Sequence, residues 1–564
     1  MTAALLTRTT ASGRLRGGLF LTGMLLSAVL LLFCRLDDAY LWQDEAETAI
    51  VSRNLLTYGL PLSTDGTHWV QQAPQMFVEF TDDYIWIYHS WLQYGVTAAS
   101  FALFGVTTFA ARLPFVLVGL LTIYYFHGFV SRWMADTRIA RVATLLLVFC
   151  IPFVLLLRQA RYYALAAFFT LLTVDAYLRL TNEGTRPDLQ SGEQWAVPYF
   201  VLSAVLLYHS HYGAFFPTMI TLALHFVLSR PARRARRRLL MALLLVALLA
   251  LPWARMMRVQ NRGGPFQMDR FLSHIGQHSL YITAWLFPLV LVPFLLIAFI
   301  RPSVGRDTVP HSQGDRLELS PGQTTFCRLV GLEIVLTILS LSAAAAFDWA
   351  FFRYLAHLIP LLLILLAVVV VWFMERSALI GYTLLIVVVV SNALHVVPYG
   401  VPGVKEIDWQ ELWPGSPPFE ALDDVWAKAG RFRSDVWMYA QELSHSYEGP
   451  NEGLVKYLSA HAQPGQTVAV NYEDLPLMFY TELRVLGGLS GRGLAENTQP
   501  DWVIDRKHGP YRDRLAAIVA SGSYERVEIP YPDIRWENRP QPGQHHYLTV
   551  RGEENVVLYR KRGG

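Results

Sequence analysis

The feature that most limits how this chain can fold is its set of long apolar runs without charge, such as LILLAVVVVWF at 363–373 and TLLIVVVV at 383–390. Apolar stretches approaching 20 residues can cross the hydrocarbon core of a bilayer, where every backbone polar group must be bonded within the protein. A chain with many such runs folds as a bundle of membrane helices. Composition agrees, since 53% of the 564 residues are hydrophobic and only 16% are charged, against roughly 25% charged in a typical soluble protein. The net charge of +3 is too small to imply nucleic-acid binding. Cys34, Cys150 and Cys327 fall in or beside apolar segments far apart in sequence. They match no metal spacing and read as buried small residues. The first apolar run, 19–36, lacks a small-x-small cleavage site and is followed at once by Asp37 and Asp38, so it reads as an uncleaved span rather than a signal peptide.

Orientation follows from the basic segment RPARRARRR at 230–238, because short loops dense in Lys and Arg stay cytoplasmic. Counting outward from it predicts about eleven spans, near 19–36, 112–131, 142–157, 162–180, 196–211, 213–229, 239–253, 279–300, 328–346, 354–374 and 378–397. The basic stretches 1–18 and 132–141 then also lie inside, and the C-terminus lies outside. Residues 85–104 are long enough to cross. Their aromatic side chains, His89 and Gln93 crowd the first half, as expected of a helix lying at the interface. Residues 37–111 are therefore expected to form one large external loop within a membrane domain spanning 1–397. Beyond 398 the chain turns polar and rich in Pro, Gly and Trp. Segments at 466–471, 501–505, 525–529 and 555–561 have strand character, and helical patterns at 451–461, 474–483 and 511–520 alternate with some of them. This predicts an α/β domain over 398–564, extracytoplasmic by parity.

Two acidic residues, Asp44 and Glu45, stand in LWQDEAETAI at 41–50, a few residues past the first span. One reading is structural: Asp44 followed by Glu47 has the spacing of a helix N-cap with its capping box. The other is chemical, because a carboxylate at the membrane face can take a proton from an attacking hydroxyl. Neither excludes the other.

The order of features carries a resemblance. A first span is followed by DEAETAIVSRNLLTYG at 44–59, then a surface helix ending in Phe-Gly, then ARLPFVLVGLLTI at 111–123. This resembles the GT-C glycosyltransferases, in the branch of protein O-mannosyltransferases, aminoarabinose transferases and Rgt-like enzymes. The similarity is good over about 15–170 and weak over the rest of the membrane domain. It implies a polyprenyl-phosphate-linked sugar as donor, transfer on the outer side of the membrane, and inversion at the anomeric carbon. By that resemblance Asp44 matches the catalytic aspartate and Glu45 its acidic partner. His89 falls where relatives carry His or Lys ahead of two prolines, which are absent from HSW at 89–91. Arg112 matches the Arg of an Arg-Leu-Pro motif. RQARYYAL at 158–165 matches a segment that in some relatives ends in an acidic residue, replaced in this chain by Tyr163. FRYLAHLIPLL at 352–362 resembles a later Arg-Tyr motif followed by proline.

Charge distribution points the same way. A leaving phosphate needs cations, and Arg158, Arg161, Arg255, Arg258, Arg262, Arg270 and Arg353 all fall on the outer side of this topology. Arg binds phosphate oxygens through a fork and stays charged at any working pH. Some of these arginines can equally snorkel to lipid headgroups. The expected donor phosphate ligands are Arg161, Arg353, Arg112 and Arg262, with His89, Arg53, Tyr162 and Tyr354 contacting substrate. No cofactor is demanded. A divalent metal on His209, His211, His274 and His278 with Glu45 or His89 is conceivable, but no ligand spacing compels it. His545–His546, near 536–543, read as surface or acceptor contacts.

The leading expectation is a membrane glycosyltransferase acting on a cell-envelope acceptor: lipid A or lipopolysaccharide, polysaccharide, another glycolipid or protein. It would sit in the cytoplasmic (inner) membrane, with the N-terminus cytoplasmic, surrounded by membrane lipids. A lipid-linked-glycan transporter or flippase would show inverted repeats and mid-bilayer charges. No repeat is visible, and Asp175 lies near a span end. A non-catalytic envelope-assembly protein would depend on the terminal domain and not on Asp44.

Overall fold

The computed structural model describes residues 11–181, 195–300, 319–399, 430–495, 497–535 and 537–562. The first ten residues and part of the expected domain junction, 400–429, lie outside them, as does Trp536. The N-terminal part consists of helices α1 (Ala11–Phe33), α2 (Gln43–Tyr58), α3 (Leu92–Phe104), α4 (Thr108–Met134), α5 (Thr137–Val148), α6 (Ile151–Leu157), α7 (Tyr163–Thr181) and α8 (Ala196–Ser210). After these come α9 (Tyr212–Ser229), α10 (Arg233–Met256), α11 (Met268–Trp285), α12 (Val292–Ile300), α13 (Pro321–Ala343), α14 (Ile359–Arg376), α15 (Ala378–Val390) and the short α16 (Ala393–Val396).

Among the described residues, six helices (α4, α7, α9, α10, α13 and α14) are each long and apolar enough to cross a membrane. Two further helix pairs are apolar enough when taken together but are bent: α5 and α6 meet at 64°, and α11 meets the segment Leu289–Ala298 at 83°. Proline explains both breaks. Pro152 opens α6 and Pro288 stands in the second break, and neither can donate the backbone hydrogen bond that would continue a helix. The remaining three expected spans fall on shorter apolar helices, namely α1 from Gly17, α8 and α15. Six to eight helices thus pass by length where about eleven spans were expected. The expected interfacial segment 85–104 yields a helix only from Leu92, α3.

Local chemistry fixes the helix ends. Thr107 caps α4 by accepting from Ala110 N, Asp136 caps α5, and Ser320 with Gln323 forms a full capping box on α13. Helix α14 buries side chains all round, from Ile359 to Trp372, as a helix enclosed by its neighbours does.

The C-terminal part holds helices α17 (Asp435–Ser444), α18 (Pro450–His461), α19 (Asp474–Tyr480) and α20 (Arg512–Ser521). Its strands are β1 (Thr467–Val470), β2 (Arg484–Gly487), β3 (Trp502–Ile504), β4 (Tyr524–Pro532) and β5 (Asn555–Lys561), in sheet order β2-β1-β3-β5-β4. β1 runs parallel to β2 and β3, whereas β5 is antiparallel to β3 and β4. Strands were expected at four of these five places. The fifth, β2, falls just past the expected helix 474–483, which ends early, at Tyr480.

The sheet domain is fastened to the bundle beside α2. Gln43 Nε2 donates to Asp474 Oδ1 at 2.8 Å, and Leu41 N donates to the Tyr480 hydroxyl at 3.0 Å. His68, from the loop after α2, bonds the Leu483 carbonyl at 2.8 Å. These contacts place the first turn of α2 at the junction of the two parts.

Candidate active site between the bundle and the sheet domain

The first turn of α2 does not carry the capping box that its sequence suggests. Trp42 is the N-cap and caps with no side-chain bond, so Asp44 lies inside the helix, and Glu47 is turned to another use. A helix rotates about 100° per residue, so Asp44 and Glu45 face different surroundings.

Glu45 is fully buried and held on every side. Arg112 Nε and Nη2 donate to its two oxygens at 2.8 and 2.7 Å, Ala160 N donates at 2.8 Å and Asn538 Nδ2 at 3.3 Å. The other donors of Arg112 reach the carbonyls of Leu36, Ala39 and Tyr40. Arg112, expected from sequence as a phosphate ligand, closes its fork on Glu45 and three carbonyls and so clamps the first turn of α2. Arg158 serves similarly, donating to the carbonyls of Leu31, Cys34 and Arg35 at the end of α1.

Asp44 instead faces a cavity and two arginines. Arg353 Nη1 lies 3.1 Å from Asp44 Oδ2, and Arg161 Nη2 lies 3.9 Å from the same oxygen. Arg161 comes from the turn between α6 and α7, and Arg353 from the turn preceding α14, so three separate elements converge. Arg353 is flattened against the Phe351 ring at 4.2 Å.

Arg161 is the hub of this arrangement. Its Nη1 donates to the Asp44 carbonyl at 3.0 Å and faces Glu47 Oε2 at 3.1 Å, while Nη2 donates to His89 Nε2 at 2.9 Å. Glu47 also accepts from the Tyr94 hydroxyl at 2.6 Å and from Gln72 Nε2 at 3.2 Å. Burial opposes its ionisation, but Arg161 and His89 more than offset that and bring its pKa down to about 2. Burial also pushes His89 below the usual imidazole range, although Glu47 pulls the other way. A neutral ring whose Nε2 accepts from Arg161 fits that direction.

Two cavities meet at this hub. The larger, about 1350 Å³, runs between α9, α10 and α13, with Phe216, Ile220 and Leu251 on its wall and Arg255, Arg258 and Arg262 at its polar end. Ile220 and Leu251 belong to outward-facing apolar helix surfaces. Arg262 is pinned by Nη2 to the Ile87 carbonyl at 2.9 Å and lies over Tyr88 at 5.2 Å. The smaller cavity, about 380 Å³, is lined by Asp44, Glu47, Arg161 and Arg353 and, from the sheet domain, by Tyr472, His508, Arg535, Arg539 and Gln541. His89, Tyr162 and Tyr354 line both. Tyr162 stacks on His211 at 4.1 Å, making the wall between the cavities aromatic.

Of the residues singled out from sequence, Asp44, Arg161, Arg353, His89, Tyr162 and Tyr354 are thus brought together, with Arg262 in the adjoining cavity. Arg53 is not among them. It lies further along α2, faces Asp65 at 3.7 Å and lines neither cavity. His545 pairs with Glu442 at 2.8 Å and also lines neither cavity. Among the described residues no three His, Cys, Asp or Glu side chains gather as metal ligands; Glu45 is engaged by Arg112 and His274 by the Phe347 carbonyl.

The residues that sequence reasoning missed are Glu47 as a site carboxylate and the segment 535–544. Helical spacing from Asp44 could have flagged Glu47. The segment carries no local signal. It reaches the site only through the fold, with Asn538 on Glu45, Arg539 over the Trp42 ring at 5.2 Å and Gln541 Nε2 donating to the Tyr281 hydroxyl at 2.7 Å.

No protein-family model matches the chain, and no curated protein matches it in sequence. Solved structures do match over its whole length. The crystal structure of ArnT from Cupriavidus metallidurans bound to undecaprenyl phosphate is 15% identical, with a TM-score of 0.55 over 98% of this chain and 99% of that one. The apo state of the same protein gives 0.54 at 15% identity, over 97% and 98%. The Archaeoglobus fulgidus oligosaccharyltransferase, in complex with Zn and sulfate, gives 0.48 at 10% identity, over 90% and 72%. The likeness to the two ArnT structures is one of fold: a membrane-helix bundle followed by a C-terminal sheet domain.

Proposed function

We propose that this chain is a membrane glycosyltransferase that moves a sugar from a polyprenyl-phosphate donor to a hydroxyl of a cell-envelope acceptor on the outer face of the cytoplasmic membrane. One observation carries the reading: the Asp44 carboxylate opens onto a cavity with Arg353 3.1 Å and Arg161 3.9 Å away. A base beside two permanent cations suits a reaction that removes a proton from one oxygen and leaves negative charge on another. The whole-length likeness to ArnT bound to undecaprenyl phosphate supports the donor class.

In this scheme the polyprenyl chain enters the larger cavity along the apolar faces of α9, α10 and α13, and Arg262 receives its phosphate end. The acceptor occupies the smaller cavity. Its hydroxyl oxygen attacks the anomeric carbon as the bond from that carbon to the phosphate oxygen breaks, with inversion. The proton passes to Asp44, and the bonding electrons leave with the phosphate, which Arg161 and Arg353 stabilise. Glu45 acts through position, because its clamp by Arg112 fixes the first turn of α2 and thereby the direction of Asp44.

The test is mass spectrometry of envelope glycolipids and glycans from cells lacking the gene, complemented with wild type or with Asp44→Asn. Wild type should restore a sugar-bearing species that Asp44→Asn, present in the membrane at the same level, does not. Restoration by Asp44→Asn would sink the base assignment.

A further inference from the structure

The arginines around the two cavities fall into two separate groups. Arg161 and Arg353 line only the smaller cavity, whereas Arg255, Arg258 and Arg262 line only the larger. Tyr88 and His89 stand between the groups. Arg262 lies over the Tyr88 ring at 5.2 Å, that ring is 4.5 Å from His89, and His89 bonds Arg161. A phosphate held by Arg161 and Arg353 beside Asp44 is thus on one side of this pair, and three further cations are on the other.

The second group is arranged to receive an anion. Arg255 stands in the last turn of α10, and Arg258 and Arg262 flank the turn Val259–Asn261. No carboxylate lines this cavity. Among the described residues Arg255 and Arg258 have neither a hydrogen bond nor an ion pair, whereas Arg270, at the start of α11, is paired with Asp348 at 3.0 Å. Glu79 lies within electrostatic reach of Arg262, but it accepts from Gln72 N and Ala73 N and stays outside the lining. The turn is also fixed in place. A Cβ on Gly264 would lie 2.6 Å from the Ala345 carbonyl oxygen, so the chain is pressed onto the residues after α13. Arg258 itself has φ +50°, the left-handed region that an arginine enters only at a cost. That bend follows the end of α10 and lets Arg255, Arg258 and Arg262 share one space.

We propose that the donor joins its lipid to its sugar through a diphosphate, with the sugar-side phosphate at Arg161 and Arg353 and the lipid-side phosphate at Arg255, Arg258 and Arg262. Each phosphate carries one negative charge, and the guanidinium fork matches its oxygens with paired hydrogen bonds. The acceptor oxygen bonds the anomeric carbon as the bond from that carbon to the sugar-side phosphate oxygen breaks. The acceptor proton passes to Asp44, and the bonding electrons leave on a polyprenyl diphosphate. This inference rests on the transferase reading for the word donor, and it names the carrier that the same site takes.

The test is binding by microscale thermophoresis to the full-length protein in detergent. The probes are farnesyl diphosphate, farnesyl phosphate, inorganic pyrophosphate and phosphatidylglycerol, the last standing for an ordinary anionic headgroup. Farnesyl diphosphate should bind about tenfold or more tightly than farnesyl phosphate, and added salt should narrow the gap. Pyrophosphate, which lacks the lipid, should bind more weakly than farnesyl diphosphate. Arg255→Gln with Arg258→Gln should erase the diphosphate advantage and leave farnesyl phosphate within about twofold of wild type. Arg258→Asn alone guards against a folding artefact, because asparagine tolerates the left-handed conformation. It should melt no lower than wild type and still lose part of the advantage. Equal losses for both farnesyl probes in the double variant would overturn the proposal, and so would a diphosphate advantage that survives it. A double variant that weakens only phosphatidylglycerol would also overturn it, since the arginines would then serve bilayer headgroups. Failure of the transferase reading looks different: Asp44→Asn would restore the glycan species in cells while the diphosphate advantage and its loss in the double variant persisted.

Discussion

Asp44 and Glu45 are neighbours in the chain with opposite environments, and variants of each should therefore fail in different ways. Glu45 forms a buried ion pair with Arg112 and takes further bonds from Ala160 and Asn538. Removing it leaves an uncompensated buried guanidinium, so Glu45→Ala should cost about 3–5 kcal/mol of stability. Asp44→Ala leaves Arg353 and Arg161 beside a cavity that water can fill, and should lower turnover about 10²–10⁴-fold at nearly unchanged stability. Thermal melting in detergent paired with a transfer assay separates the two, and equal melting losses would contradict the division of roles. A second contrast concerns Arg161, which serves Glu47, His89 and the Asp44 carbonyl from one planar head. An ammonium cannot span that geometry, so Arg161→Lys should lose about 10²-fold in turnover despite keeping its charge. Wild-type turnover in Arg161→Lys would mean that charge alone suffices.

At the scale of elements, what was legible in the sequence was whatever a local pattern encodes. The apolar runs pointed to the membrane helices, and four short segments of strand character to four of the strands. β2 was missed because RVLG at 484–487 is short and has only two strongly apolar side chains, and its identity as a strand comes from pairing with β1. The capping-box spacing of Asp44 and Glu47 misled for the opposite reason. The local motif is present, but Arg161 and Tyr94 offer Glu47 stronger partners than the helix end does. The segment 535–544 was legible only as a polar, proline-rich stretch, since everything that places it at the site is long-range. One such long-range contact can be probed directly. Gly488 sits at φ +62°, and a Cβ there would lie 2.1 Å from Cγ of Asp474, the residue that holds Gln43 beside Asp44. Gly488→Ala should cost about 1–3 kcal/mol from backbone strain alone, plus displacement of Asp474. The same change made on an Asp474→Ala background, where Cγ is gone, should cost less. A double-mutant cycle in melting temperature reads that coupling, and strict additivity would mean that the clash is relieved elsewhere.

On the scale of the whole molecule, the seat of the sheet domain on the bundle is built partly from carboxyls that burial keeps from ionising. Burial, with the nearby Glu473, raises Glu537 to about 8; burial likewise raises Glu473, and it lifts Asp474 to about 6 despite the bond from Gln43. All three lie in the segments that reach the site, next to Asn538 or at the N-terminal end of α19. A carboxyl whose folded pKa is raised holds its proton where the unfolded chain has released it. Between about pH 4.5, the unfolded value of Glu, and about pH 8, the folded state therefore binds more protons, and stability falls as pH rises. Glu47 acts in the other direction: its folded pKa of about 2 gives stability that is complete above its unfolded value of 4.5 and is lost only as pH falls toward 2. Across pH 6 to 9 the raised carboxyls, among them Glu537 at about 8, lose their protons while Glu47 stays ionised, so the melting temperature of the detergent-solubilised protein should decline over that range. Glu537→Gln should flatten the decline, because the amide oxygen can still accept from Asn451 N while no charge forms on deprotonation. The variant should melt above wild type at pH 9 and close to it at pH 5. A wild-type slope in Glu537→Gln would show that the alkaline loss arises away from the domain seat.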